Sequence, residues 1–217
     1  MIEIPVHNES GEQVETIQVD EALLGGEVKP GLLKQAYVRY HANRRLGVAK
    51  TKNRGETSYS TRKLYRQKGT GNARRGDAGA NILRGGGMAF AKQPRSFRQD
   101  MPTKMRRLAN RNAMLAKAVD GEIKLVETLD FEQPSTKKFQ AILKSLSIDR
   151  SCLVALAATT GHEARSASNI DDVSLTRMDQ VNVFDLLNHR YLLADKASFE
   201  AWLETAKAQA ATKKEAK

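Results

Sequence analysis

The chain has 217 residues, 40% of them apolar, a formal net charge of +11 and a pI near 9.8. That length suits one domain with an appendage or two small domains, and the apolar share supports a core along only part of the chain. One cysteine, Cys152, excludes an internal disulfide, no run approaches 18 apolar residues, and so basic a balance points to nucleic acid before an anionic membrane surface.

The start, MIEIPVHNES, lacks the basic region and apolar run of a signal peptide, so a cytosolic protein is expected. Ile2, Ile4 and Val6 alternate with Glu3 and Pro5, NESG turns, and Val14 to Val19 alternates again, which predicts a hairpin. Pro30 opens a helical pattern carrying Leu32, Leu33, Ala36, Tyr37 and Tyr40. Beyond position 100, Met101, Met105, Leu108, Ala109, Leu115, Ala116 and Val119 share one helix face, entered through Pro102-Thr103 and stopped at Asp120-Gly121.

Strand and helix signals then alternate. Ile123 to Val126 is a short strand, and Ser135-Thr136 caps a helix with Phe139, Ile142, Leu143 and Leu146. Cys152 to Ala157 is continuously apolar, as in a strand buried on both faces. A helical piece, His162 to Ala167, precedes a strand at Val173 to Leu175. Val181 to Phe184 is predicted as a strand, Asp185 as the cap of Leu186 to Asn188, and Tyr191 to Leu193 as another strand. Lys196 to about Ala208 is a helix with Phe199, Trp202, Leu203 and Ala206, and the tail AATKKEAK is expected to fray. This order predicts an α/β fold: a mostly parallel sheet flanked by helices, three-layer and Rossmann-like, with a long extended basic loop. The organisation expected is a single α/β domain over 1–217, with residues 49–100 inserted in it as the loop.

Charge separates sharply along the chain. Residues 39–111 hold 20 Lys or Arg against Glu56, Asp77 and Asp100, a net of +17, whereas the remainder carries −6. From Ala49 to Gln99 no period of 2 or 3.6 persists, and the composition is Gly, Arg, Lys, Ser, Thr and Asn with isolated aromatics. A loop this long is functional or disordered, and low hydrophobicity with high charge predicts disorder in isolation. RNA supplies the counter-charge. Phosphates neutralise the cations, Arg grips phosphate through two hydrogen bonds or stacks on a base, and Gly lets the backbone approach closely. Tyr59, Tyr65, Phe90 and Phe97 serve either as stacking faces or as packing anchors. The RNA-binding candidates are Arg44, Arg45, Lys50, Lys52, Arg54, Arg62, Lys63, Arg66, Lys68, Arg74, Arg75, Arg84, Lys92, Arg95, Arg98, Lys104, Arg106 and Arg107.

Other motifs fail on context. Gly69-Thr70-Gly71 lacks the strand and helix of a dinucleotide loop. Gly71 to Gly76 has Walker-like spacing, yet Asp77-Ala78 stands where Lys and Ser or Thr are needed. Arg75-Gly76-Asp77 is a chance adhesion tripeptide in a cytosolic chain. His162-Glu163 lacks a nucleophile, and His7, His41 and His189 have no metal-ligand spacing, so no metal and no cofactor are expected.

LYRQKGTGNARRG followed by LRGGGMAFAKQPRSF resembles the signature of the bacterial-type L-four family of large-ribosomal-subunit proteins, and ARSASNI and VNVFDLLNHRYLLADKASFEAWLE resemble its later segments. The likeness runs from about Val28 to Glu204. It implies a non-catalytic constituent that binds ribosomal RNA early in assembly, with neighbouring large-subunit proteins and the nascent polypeptide as further partners and no membrane. It also implies that the loop tip, Arg66, Gln67, Lys68, Gly69, Thr70, Gly71 and Asn72, lines the polypeptide exit tunnel. The chain departs from the family in having Asn72 where Arg is usual, AGANIL where a Ser-Pro stretch is common, and FAKQP in place of FGP-like sequence. Two other readings stay open: an RNA-modifying enzyme with a basic substrate arm, for which no cofactor loop is visible, and a free regulatory RNA-binding protein.

Overall fold

The structure, a computed structural model, describes residues 1–211. It divides into two compact units, one of residues 1–41 with the described residues from 100 onward, the other of residues 42–99.

The first unit is built on a six-stranded mixed sheet flanked by helices. Its first two strands, β1 (Ile2–His7) and β2 (Gln13–Val19), form the antiparallel hairpin that the alternating pattern predicts, with Ile4 opposite Ile17. Asp20 caps a single turn, α1 (Glu21–Leu24), that the periodicity did not reveal. Helix α2 (Pro30–Arg44) opens on proline, whose missing N–H costs nothing in a first turn. Helix α3 (Thr103–Val119) buries Ala109, Asn112, Ala113, Met114, Leu115 and Ala118, but Val119 at its end is exposed rather than part of the apolar face.

The remaining elements are β3 (Ile123–Val126), α4 (Thr136–Ser145), β4 (Cys152–Leu156), α5 (His162–Ala167), β5 (Val173–Arg177), α6 (Val183–Asn188), β6 (Tyr191–Asp195) and α7 (Lys196–Ala211). Ser135 caps α4 by accepting from Lys138 N. The expected fraying of AATKKEAK concerns residues that begin inside α7 and otherwise lie outside the described residues.

Strand order is β2-β1-β3-β6-β4-β5, and every pairing except the β1–β2 hairpin is parallel. Side-chain alternation divides the core between the two sheet faces. Leu125, Leu153, Ala155, Leu192 and Ala194 join α3, α6 and α7. Val126, Cys152, Val154, Leu156 and Leu193 join α4 and α5, where Phe131 stacks on Phe139. All five residues of β4 are buried, which is why its sequence is continuously apolar.

One stretch departs from the predicted elements. Val181 to Phe184 is not a strand, and Asp185 is not a cap. Residues Met178–Gln180 form a 3-10 turn, and α6 starts at Val183 with Asn182 as its cap, whose Oδ1 accepts from Asp185 N at 3.1 Å. Asn182 Nδ2 in turn donates to Asp185 Oδ2 at 2.7 Å. Three apolar residues in a run of four cannot distinguish a strand from one buried helix face, and the Asn cap decides it here. Strand β5 also runs two residues further than predicted, to Arg177.

Candidate nucleic-acid interface

Residues 42–99 contain 15 Lys or Arg and only two acids, Glu56 and Asp77. Among these residues no apolar side chain is buried. Leu46, Val48, Ile82, Met88 and Phe90 are all exposed, Phe90 to 98%.

Hydrogen bonds, not a core, give the segment its shape. Asn43 Nδ2 donates to Gln99 O and Gln99 N donates to Asn43 Oδ1, at 3.2 and 2.8 Å. Further along, Arg95 N bonds Gly47 O, Thr51 N bonds Lys92 O, and Met88 N bonds Lys52 O, each within 3.0 Å. Leu64 N bonds Gly76 O at 2.9 Å. Rung by rung the chain goes out and returns beside itself. Between the last pair lies the stretch containing Arg66–Asn72. There Arg66 Nη2 donates to Gly69 O at 2.9 Å, Lys63 Nζ to Gln67 Oε1 at 2.7 Å, and the Tyr65 hydroxyl to Ala73 O.

Two acids act as internal ties. Asn53 and Glu56 form a reciprocal capping box around a 3-10 turn, Arg54–Glu56, and Lys50 pairs with Glu56 at 3.2 Å. Asp77 is buried and accepts from Arg54 Nη2 at 2.6 Å. That bond raises the Arg54 pKa. The backbone beside this pair is tightly packed. A Cβ on Gly79 would sit 1.9 Å from the Tyr59 ring, and one on Gly87 would sit 2.4 Å from the Arg54 backbone. Only glycine allows these approaches.

The four aromatics fall into different roles. Phe97 meets two guanidinium groups, with Arg45 and Arg95 at 4.0 and 4.3 Å from its centroid. Tyr59 packs on Gly79 and Tyr65 is tied to Ala73. Phe90 is left projecting.

The structure gathers 15 of the 18 candidate cations in residues 42–99 and exposes all 15. Lys104, Arg106 and Arg107 instead belong to the start of α3, with Lys104 and Arg107 exposed and Arg106 half-buried, its Nη2 donating to Thr103 Oγ1 at 3.2 Å. Sequence reasoning missed the Asn43–Gln99 clasp and the buried role of Asp77. The Asn53–Glu56 spacing was the one legible signal, since N-x-x-E is a capping-box pattern.

The structure thus joins a mixed α/β fold to a cationic segment in which no apolar side chain is buried. The chain matches the Ribosomal protein L4/L1 family over residues 17–205 and belongs to that family. Among similar curated proteins is the large ribosomal subunit protein uL4 of Dehalococcoides mccartyi (strain CBDB1), 41% identical over 192 residues that cover 88% of this chain and 91% of that one. The protein of the same name from Desulfatibacillum aliphaticivorans is 38% identical over 204 residues, 93% of this chain and 97% of the other.

Proposed function

We propose that the protein is a structural constituent of the large ribosomal subunit, without catalytic activity, working in the cytoplasm. Its body is a three-layer, Rossmann-like anchor, and residues 49–100 are an extended loop that binds ribosomal RNA during early assembly. In this reading Arg66 to Asn72 lie at the wall of the polypeptide exit tunnel, beside the nascent chain, and neighbouring large-subunit proteins contact the body.

The observation that carries the RNA reading is the segment 42–99, where 15 cations and two acids share a chain with no buried apolar side chain. Such a segment has little of its own to gain by compaction and much to gain by releasing phosphate counterions. Arg44, Lys50, Lys52, Arg62, Lys63, Arg66, Lys68, Arg74, Arg75, Arg84, Lys92 and Arg98 supply the exposed charge, while Arg45, Arg54 and Arg95 also hold the segment together. Phe90 supplies a stacking face.

Binding to large-subunit RNA across a salt series tests this. If about ten cations meet phosphates, log K falls with a slope of roughly −7 on single-stranded regions. A slope near zero, or absence of the chain from salt-washed large subunits, overturns the reading.

A further inference from the structure

The body carries an open crevice of about 450 Å³ that none of the RNA candidates but Arg107 reaches. It lies at the carboxyl edge of the parallel strands. Ala157 follows β4, Arg177 ends β5 with Asp179 just beyond, and Ser198 follows β6. The chain leaving β4 enters α5 on one sheet face. The chains leaving its neighbours β5 and β6 enter α6 and α7 on the other. Where adjacent strands send their connections to opposite faces, an open α/β sheet parts into a crevice, the habitual ligand position of such sheets.

The chemistry of the lining is specific. Arg107 and Arg111 come from α3, Trp202 from α7 and Arg177 from the end of β5. Among the described residues Asp179 is the one carboxylate of the lining, and its Oδ2 is occupied by Arg177 Nη2 at 2.8 Å. Arg111 donates from Nη1 to Leu23 O at 3.3 Å, but its Nε is buried without a partner. Burial also lowers its pKa. A half-desolvated guanidinium with an unused N–H gains from a phosphate or carboxylate oxygen. Trp202 adds an aromatic surface to the same cavity, and the volume is in the range of small-ligand sites.

We propose that this crevice binds a nucleotide, its phosphate held by Arg107, Arg111 and Arg177 and its base against Trp202. Free nucleotides and nucleotides within an RNA strand share this chemistry. No residue of 42–99 lines the crevice, so its failure would leave the RNA-loop reading untouched.

Trp202 is the sole tryptophan, so its fluorescence reports the site directly. Titration of the full chain with 5′-AMP should give a saturable change, with adenosine and inorganic phosphate each at least about tenfold weaker. Arg107→Ala and Arg177→Ala alter exposed side chains, should leave the circular-dichroism spectrum unchanged, and should each weaken AMP by about tenfold or more. A hexaadenylate that displaces AMP assigns the crevice to an RNA strand, and one that does not assigns it to the free nucleotide. No saturable change by about 5 mM AMP, with no retention of labelled AMP in equilibrium dialysis, overturns the proposal. Equal binding of phosphate and AMP overturns the role of Trp202.

Discussion

Asn112 gives the sharpest test of how the body is held together. It is fully buried in α3. Its Oδ1 accepts from Lys29 N at 2.7 Å and its Nδ2 donates to Glu27 O at 2.6 Å. Both ends of one amide thus bind the backbone 83 and 85 residues earlier, just before α2 begins. Asn112→Leu keeps the approximate volume and removes both bonds. Each orphaned backbone group costs about 1–3 kcal/mol, and partial rehydration of the loop around Glu27 brings the net loss to about 2–4 kcal/mol. For a chain of this size about 3 kcal/mol lowers Tm by roughly 6–12 °C. Asn112→Asp keeps the acceptor toward Lys29 but turns an oxygen toward Glu27 O, so it should destabilise at least as much. Urea denaturation followed by circular dichroism measures both. A loss below about 1 kcal/mol for the leucine variant would refute the claim that this amide fastens the segment before α2 to α3. RNA affinity at temperatures where the variant remains folded should not change.

Two further predictions address the segment 42–99 and the sheet. Phe90→Ala should weaken binding to large-subunit RNA by about 10–100-fold while leaving the salt slope intact, because stacking releases no counterions. A changed slope, or undiminished affinity, would show that Phe90 does not stack. Burial pushes the Cys152 thiol up to about 12, so at pH 8 only about 10⁻⁴ of it is thiolate. A thiol reagent should therefore leave the native protein unmodified and label one equivalent in denaturant. Rapid labelling of the folded chain would place Cys152 elsewhere than in the interior of the sheet.

Much of the body was legible because its signals are local. The β1–β2 hairpin, α3, α4, β4 and α7 each carry an alternation, a helical stripe or a cap within a dozen residues. The stretch from Val181 to Asn188 misled because a short apolar run fits either period, and the Asn182 cap that settles the matter depends on a side chain folding back on its own backbone. Within 42–99 the cations were plain to see. Their division was not: Arg54 spends its charge on Asp77, and Arg45 and Arg95 pack on Phe97.

Composition and order along the chain were enough to separate a mildly acidic α/β body from a cationic, glycine-rich segment, because charge and hydrophobic period are properties of neighbouring residues. Only the tertiary structure decided that β6 inserts between β3 and β4, that Asn112 fastens the chain before α2, and that residues 42–99 return on themselves through rungs such as Asn43–Gln99 and Gly47–Arg95. Each of these joins groups some 40 to 85 residues apart through a hydrogen bond or strand pairing. Which distant donor meets which acceptor depends on how the whole chain closes, and a linear pattern holds no record of that.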